Sequence, residues 1–266
     1  IGTNNPTKLL DVDGDALING LIVGRGVSNV ETNTAVGLNV LQSNTSGASN
    51  TAVGREALQN NTGGIQNTAV GRLALNANTT GTDNVAVGVE ALLNNTTGVN
   101  NTAVGRLALD KNTTGNVNTA VGLLSLRNNT TGNDNVAVGV EALLNNTTGV
   151  NNVAVGRLAL ENTISGDCNT AIGTTAGRYI EGSGNTILGG YEGTPADATL
   201  NDTVIISAGL IERLRIDSAG NVGIGTTSPA KLLDVDGDAL INGLNVGRGA
   251  GNIDTNTAVG ASALNA

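Results

Sequence analysis

One glycine returns every 17 residues without a slip: Gly37, Gly54, Gly71, Gly88, Gly105, Gly122, Gly139 and Gly156. Around it, residues 33–168 form eight tandem copies of one 17-residue unit. A short strict period marks a solenoid, in which each unit is a layer that buries its apolar side only against its neighbours. Position 1 of the unit is Asn in every copy (Asn33, Asn50, Asn67, Asn84, Asn101, Asn118, Asn135, Asn152). Position 9 is Leu in every copy (Leu41, Leu58, Leu75, Leu92, Leu109, Leu126, Leu143, Leu160). Positions 2 to 5 read Thr/Val-Ala-Val-Gly, and positions 12 to 15 approximate Asn-Thr-Thr-Gly. Most of the charge sits at positions 6, 7 and 10, as in Arg55, Glu56, Arg72, Glu90, Arg106, Asp110, Glu141 and Arg157.

This pattern predicts an all-β chain: a parallel β-roll or β-solenoid of 17-residue coils with short β connector modules. Each coil is expected to hold two short strands and two turns. Positions 2 to 4 form one strand and positions 6 to 10 the return strand, with Val at position 4 and Leu at position 9 filling a narrow interior. Gly at position 15 is expected to supply a positive φ in the second turn. A helix over Glu90-Ala91-Leu92-Leu93 has room for under two turns, which is marginal. Coils then stack at strand spacing, about 4.8 Å. Asn84, Val87, Gly88 and Leu92, repeated as Asn101, Val104, Gly105 and Leu109, are read as structural ladders, the Asn amides bonding to neighbouring coils and turn backbone.

Composition supports a thin interior. Among 266 residues there is no His, Met, Trp or Phe and only Tyr179 and Tyr191 are aromatic, so Val, Ile, Leu and Ala must fill the layers. A 39% hydrophobic and 13% charged chain is a poor match to charge-driven disorder. The net charge of −9 and the lack of a basic cluster argue against nucleic acid as a partner. No apolar run reaches the length of a membrane-spanning helix. Cys168 is the single cysteine, which excludes a disulfide scaffold.

The expected organisation is a β connector over 1–32, the regular solenoid over 33–168, its irregular end over 169–210, a second connector over 211–255 and a new solenoid block from 256 to 266. Residues 84–100 and 135–151 are identical. Residues 224–260 repeat 1–37 at an offset of 223, so the chain reads as a window onto a longer modular polypeptide. The connector around 217–243 is expected to interrupt the ladder and to be the place of flexing, and neither end of the sequence shows a cap. Gly177, where the ninth unit should carry Leu, marks the decay of the coil.

A coil this narrow leaves apolar residues on its outer faces. Parallel in-register copies bury them with each position meeting itself around an axis, which leads to a parallel homotrimer as the expected state.

Asn-Thr-Ala-Val-Gly and Asn169-Thr170-Ala171-Ile172-Gly173 resemble the recurring strand of trimeric autotransporter adhesin heads, a left-handed parallel β-roll whose usual unit is shorter. Leu214-Arg215-Ile216-Asp217-Ser218-Ala219-Gly220-Asn221-Val222-Gly223-Ile224-Gly225-Thr226-Thr227-Ser228-Pro229, with Lys231-Leu232-Leu233-Asp234-Val235-Asp236-Gly237, resembles a segment of bacteriophage tail fibres and large bacterial appendage proteins. Those are fibrous trimers, and in many of them the segment precedes a self-cleaving chaperone domain. The resemblance implies an extracellular or virion fibre shaft used for attachment. Its alternative is a receptor- or glycan-binding module of the same fibre, in contact with a cell-surface glycan or protein through positions 6, 7 and 10 or the loops over 177–199. An ice-binding solenoid is less well supported, because Val85, Val136 and Val153 break the Thr row.

The carboxylates Asp11, Asp13 and Asp15, duplicated as Asp234, Asp236 and Asp238, are the only candidate metal cluster. They do not fit a calcium-loop spacing, since Gly14 is fourth and Ile22 twelfth. A polar strand face with a turn is the plainer reading, so no metal and no cofactor is expected. With no His and no partnered Ser, no catalytic residue is assigned and an enzyme is not expected. Tyr179 and Tyr191 are read as closing the solenoid's end, with glycan contact as the alternative.

Overall fold

The structure, a computed structural model, describes residues 14–26, 28, 30–194, 197–242, 244–247 and 258–260. Its first strands are β1 (Ala16–Ile18) and β2 (Leu21–Gly24), an antiparallel hairpin. Then come β3 (Thr34–Gly37), β4 (Thr51–Val53), β5 (Thr68–Val70), β6 (Val85–Val87), β7 (Thr102–Val104), β8 (Thr119–Val121), β9 (Val136–Val138), β10 (Val153–Val155), β11 (Thr170–Ile172), β12 (Thr186–Leu188) and β13 (Val204–Ala208). These stack in parallel, each on the one before it. From β3 to β10 the register is the sequence repeat itself, as in Ala69↔Ala86 and Ala86↔Ala103. The protein is a parallel β-solenoid, and no described residue is helical.

Each coil carries one strand, not two. Positions 6 to 11 form a run of turns, because position 7 and position 9 both take positive φ: Glu90 61° and Leu92 50°, then Leu107 57° and Leu109 51°. A strand cannot pass through those angles. A left-handed Leu costs about 1–2 kcal/mol. Full burial of the same side chain contributes about 1.5–3 kcal/mol, so the position 9 ladder stands because each of its Leu is fully enclosed. The turns are hydrogen-bonded between coils just as the strands are: Leu92 N donates to Ala108 O at 3.0 Å and Thr96 N to Thr113 O at 3.0 Å.

The inward strand residue is Ala at position 3, not Val at position 4. Ala86 and Ala103 are fully buried, whereas Val87 and Val104 are 37% and 38% exposed. The interior is a sandwich of the position 3 Ala, the position 8 Ala and the position 9 Leu. A methyl is all that fits between the sheet and the Leu ladder, so the branched neighbours must face out. Ser125 replaces one position 8 Ala and stays satisfied, its hydroxyl donating to Ala137 O at 2.8 Å.

The coil continues through the irregular end expected over 169–210, as β11 to β13. A Cβ at Gly177 would come within 3.0 Å of both Leu160 Cδ2 and Ile187 Cδ1, because Ile180 and Ile187 now fill the core where Leu stood. Beyond β13 the sheet does not break. It turns antiparallel at β14 (Ile211–Ile216), with a bulge between Ile206 and Ser207, continues antiparallel to β15 (Val222–Ile224) and ends parallel at β16 (Leu233–Val235). One sheet thus runs from β1 to β16 in chain order. The interruption expected in the connector falls only at 236–238, before β17 (Ala239–Ile241), β18 (Leu244–Gly247) and β19 (Ala258–Gly260) form a second sheet.

Both edges of the parallel stack are covered. The β1–β2 hairpin pairs antiparallel with β3, and β14 pairs antiparallel with β13. Covered edges are how solenoids avoid pairing end to end at random.

Candidate functional site

Two rows of polar side chains lie inside the rod. The position 1 Asn forms a buried ladder from Asn33 to Asn185. Asn101 shows the pattern: its backbone N and Nδ2 both donate to Asn84 Oδ1, at 3.0 and 3.1 Å, and Nδ2 also donates to Gly115 O at 2.8 Å. Its own Oδ1 accepts from Asn118 N and Nδ2, at 3.0 and 3.2 Å. At the far end Thr203 N donates to Asn185 Oδ1 at 3.2 Å, so the last acceptor is not left bare.

A second ladder, at position 12, was not separated from turn composition in the sequence. Asn44, Asn61, Asn78, Asn95, Asn112, Asn129 and Asn146 are all buried. Asn95 Nδ2 donates to Asn78 Oδ1 at 2.9 Å and to Gly98 O at 3.1 Å. Gly98 O also accepts from Asn84 Nδ2 at 2.8 Å, so the two ladders meet on one carbonyl in each coil from Gly47 to Gly149. That explains the position 15 glycine. It does not supply a positive φ. A Cβ on Gly98 would collide with Asn95 Oδ1 and Gly115 O, and the positive φ falls instead at position 17, as at Asn100, 58°. Thr163 ends the second ladder by donating to Ile180 O at 2.6 Å, which leaves Asn146 Oδ1 buried without a donor.

Truncating one rung tests this account. Asn101→Ala removes the acceptor for two Asn118 groups, the side-chain donor to Asn84 Oδ1, which keeps the backbone N of residue 101, and one donor to Gly115 O. Each buried group left unpaired costs about 1–3 kcal/mol, so denaturant unfolding is expected to show a loss of at least that size. A change smaller than about 0.5 kcal/mol, the level of an ordinary surface substitution, would remove the ladder from the list of stabilising features.

Charge concentrates where the solenoid closes. Arg215 on β14 is 7% exposed and holds Glu212 with two bonds, Nε to Oε1 at 2.8 Å and Nη2 to Oε2 at 2.7 Å, while Asp197 Oδ1 lies 3.6 Å away. Asp197 Oδ2 accepts from Tyr191 Oη at 2.7 Å, Thr194 N at 2.9 Å and Thr194 Oγ1 at 2.7 Å. Burial pushes the Asp197 carboxyl up, but these donors and Arg215 outweigh it and hold it below the usual carboxylate range. Burial, then the bond to Asp197, pushes the Tyr191 hydroxyl up. Tyr191 also packs against the hydrophobic core. The cluster ties Tyr191, Thr194 and Asp197 to β14. Thr194, Thr227 and Ser228 line a cleft of about 300 Å³ beside it.

Tyr179 is placed differently. It is 37% exposed, with the Arg178 guanidinium 5.2 Å from its ring centre, and it borders a groove of about 340 Å³ with Asn145, Asn162, Ile164, Glu181 and Ala198.

The acidic candidates are not gathered into a ligand set. Asp11 and Asp13 lie outside the described residues. Asp15 accepts from the backbone N of Arg25 at 2.5 Å and of Gly26 at 2.9 Å, tying the start of β1 to the end of β2. Asp238 lies in the same relation to Gly247 as Asp15 to Gly24. Asp234 accepts from Ala230 N at 2.9 Å. Among the described residues no three His, Cys, Asp or Glu side chains converge on a point where a metal would sit. The charged residues at positions 6, 7 and 10 are spread along the rod as separate pairs, such as Arg72 with Glu90 and Arg127 with Asp110.

No family model, curated protein or solved structure matches the chain.

Proposed function

We propose that this chain is a shaft segment of an extracellular or virion fibre used for attachment, built as parallel copies, three to a shaft. The observation that carries the reading is a module repeated along the chain. The strands β17–β19 reproduce β1–β3 with the same pairs displaced by 223 residues: Ile22↔Gly37 recurs as Asn245↔Gly260, and Val23↔Val36 as Val246↔Val259. One solenoid is closed by a covered edge, and the hairpin that opens a solenoid then begins again. Such a chain adds length with each module. Interior polar groups that bond only to each other and to the backbone of the coils, as the Asn ladders do, suit a load-bearing element.

Electron microscopy of the full-length protein is the test. A thin filament with features recurring once per 223 residues of chain is expected. Compact particles would overturn the reading.

A second reading, a glycan-binding module of the same fibre, has one observation in its favour. The groove beside Tyr179 pairs an exposed aromatic ring with flanking amides, the chemistry that stacks on and hydrogen-bonds to sugars. A glycan screen of the chain separates the two.

A further inference from the structure

The outward face of the parallel sheet is apolar along its length. At position 4 it presents Val70, Val87, Val104, Val121, Val138, Ile172, Leu188 and Ile206, each between 36% and 47% exposed. At position 2 it presents Thr or Val, half-buried. Position 6 adds the exposed Leu38, Val89, Leu123 and Val140 along one margin, interleaved with Arg55, Arg72, Arg106 and Arg157. The rest of each coil's surface is dominated by Asn, Thr and charged side chains, with single apolar residues such as Ile65 and Val117. An apolar face this continuous is not a normal solvated surface, on which such residues are scattered.

We propose that this face, from β4 to β12, is the seam on which further copies of the chain pack, parallel and level with it. The inference rests on the fibre reading above and adds which surface meets which. The period chooses the occupant. The face repeats every layer, about 4.8 Å, and only a partner with that same repeat can match it from one end to the other. A second copy of this chain has it by construction. The direction follows from the ends. The stripe is Val through β10 and then widens to Ile172, Leu188 and Ile206, so level, parallel copies put equal bulk at each layer, whereas opposed copies would set the wide end against the narrow one. The module restarting at β17 also keeps successive rods in step only when all copies run the same way. The Arg residues fix the limit of the seam. At position 6 they belong on its margin, where their guanidinium groups reach water along the covered edge.

The test uses the full chain with Cys168→Ser, since Ser49 holds the equivalent place in the first coil. Single cysteines are then introduced at Val104→Cys on the face and at Thr97→Cys on the exposed turn side, and each protein is treated with a short bis-maleimide. The expected result is efficient linkage through residue 104 and none through 97. Mixed assemblies of a tagged Val104→Cys chain and an untagged Val138→Cys chain should give linked pairs at 104–104 and 138–138 and few at 104–138. Dominant 104–138 linkage would overturn the level, parallel arrangement. Linkage at 97 with none at 104, in a protein that sediments as an oligomer, would overturn the seam and leave the fibre reading standing. A protein that sediments as a monomer would overturn the seam and the multi-copy shaft together.

Discussion

Gly105→Ala is expected to abolish the solenoid at that coil, with loss of the cooperative unfolding transition or a large fall in midpoint. Two independent causes act on the one methyl. The backbone at Gly105 holds φ at 141°, a region that side chains rarely adopt, and the new Cβ would fall on the Gly122 carbonyl of the next coil. The strain alone is about 1–3 kcal/mol. Relieving the collision would require the coils to separate, which breaks the Gly105 N to Val87 O bond of 2.9 Å and its neighbours. The same substitution at Gly220, where nothing lies within 4 Å, meets only the backbone term and is the control. If thermal unfolding places Gly105→Ala and Gly220→Ala together, the close stacking of the glycine carbonyls is wrong.

Leu92 gives the second large effect. It is fully buried between coils and bonded through its backbone to Ala108. Leu92→Ala is expected to cost about 2–5 kcal/mol per chain. Leu92→Asp should prevent the coil from forming, because a charge buried without a partner costs far more than the cavity. Glu90→Ala, two residues earlier, should stay within about 1 kcal/mol, since the partly exposed pair with Arg72 is worth no more. Urea unfolding of the three variants decides it, and an Ala at 92 as silent as one at 90 would mean the core has been assigned to the wrong position.

That position was legible in the sequence because Leu recurs at the 17-residue spacing and nothing polar ever replaces it. The neighbouring strand was not. Val85-Ala86-Val87 is apolar on both of its faces, so alternation says that 86 opposes 85 and 87 but not which side is interior. The deciding quantity is the width left beside the Leu ladder, a tertiary property. The return strand failed for another reason. Leu has no preference for left-handed backbone, so Leu92 gives no local sign of its φ of 50°, and the conformation is imposed by burial. Asn95 was hidden by its company. Asn-Thr-Thr-Gly is ordinary turn chemistry, and only the sameness of Asn from 44 to 146, against the freely varying residues at position 16, could have marked it as interior. The Arg215–Asp197–Tyr191 cluster joins a strand residue to two residues of the loop between β12 and β13, outside the 17-residue period, and has no repeat spacing to read.

The two ladders have a consequence for size. Each coil's partners are the layers directly before and after it, and residues 84–100 and 135–151 are the same unit. Losing residues 84–134 would join a coil to an identical successor and leave every rung intact, with the rod shorter by about 14 Å at about 4.8 Å per layer. Reach in such a molecule is therefore a matter of counting: it changes in whole steps, by gain or loss of units, while thickness, surface and ends stay as they were.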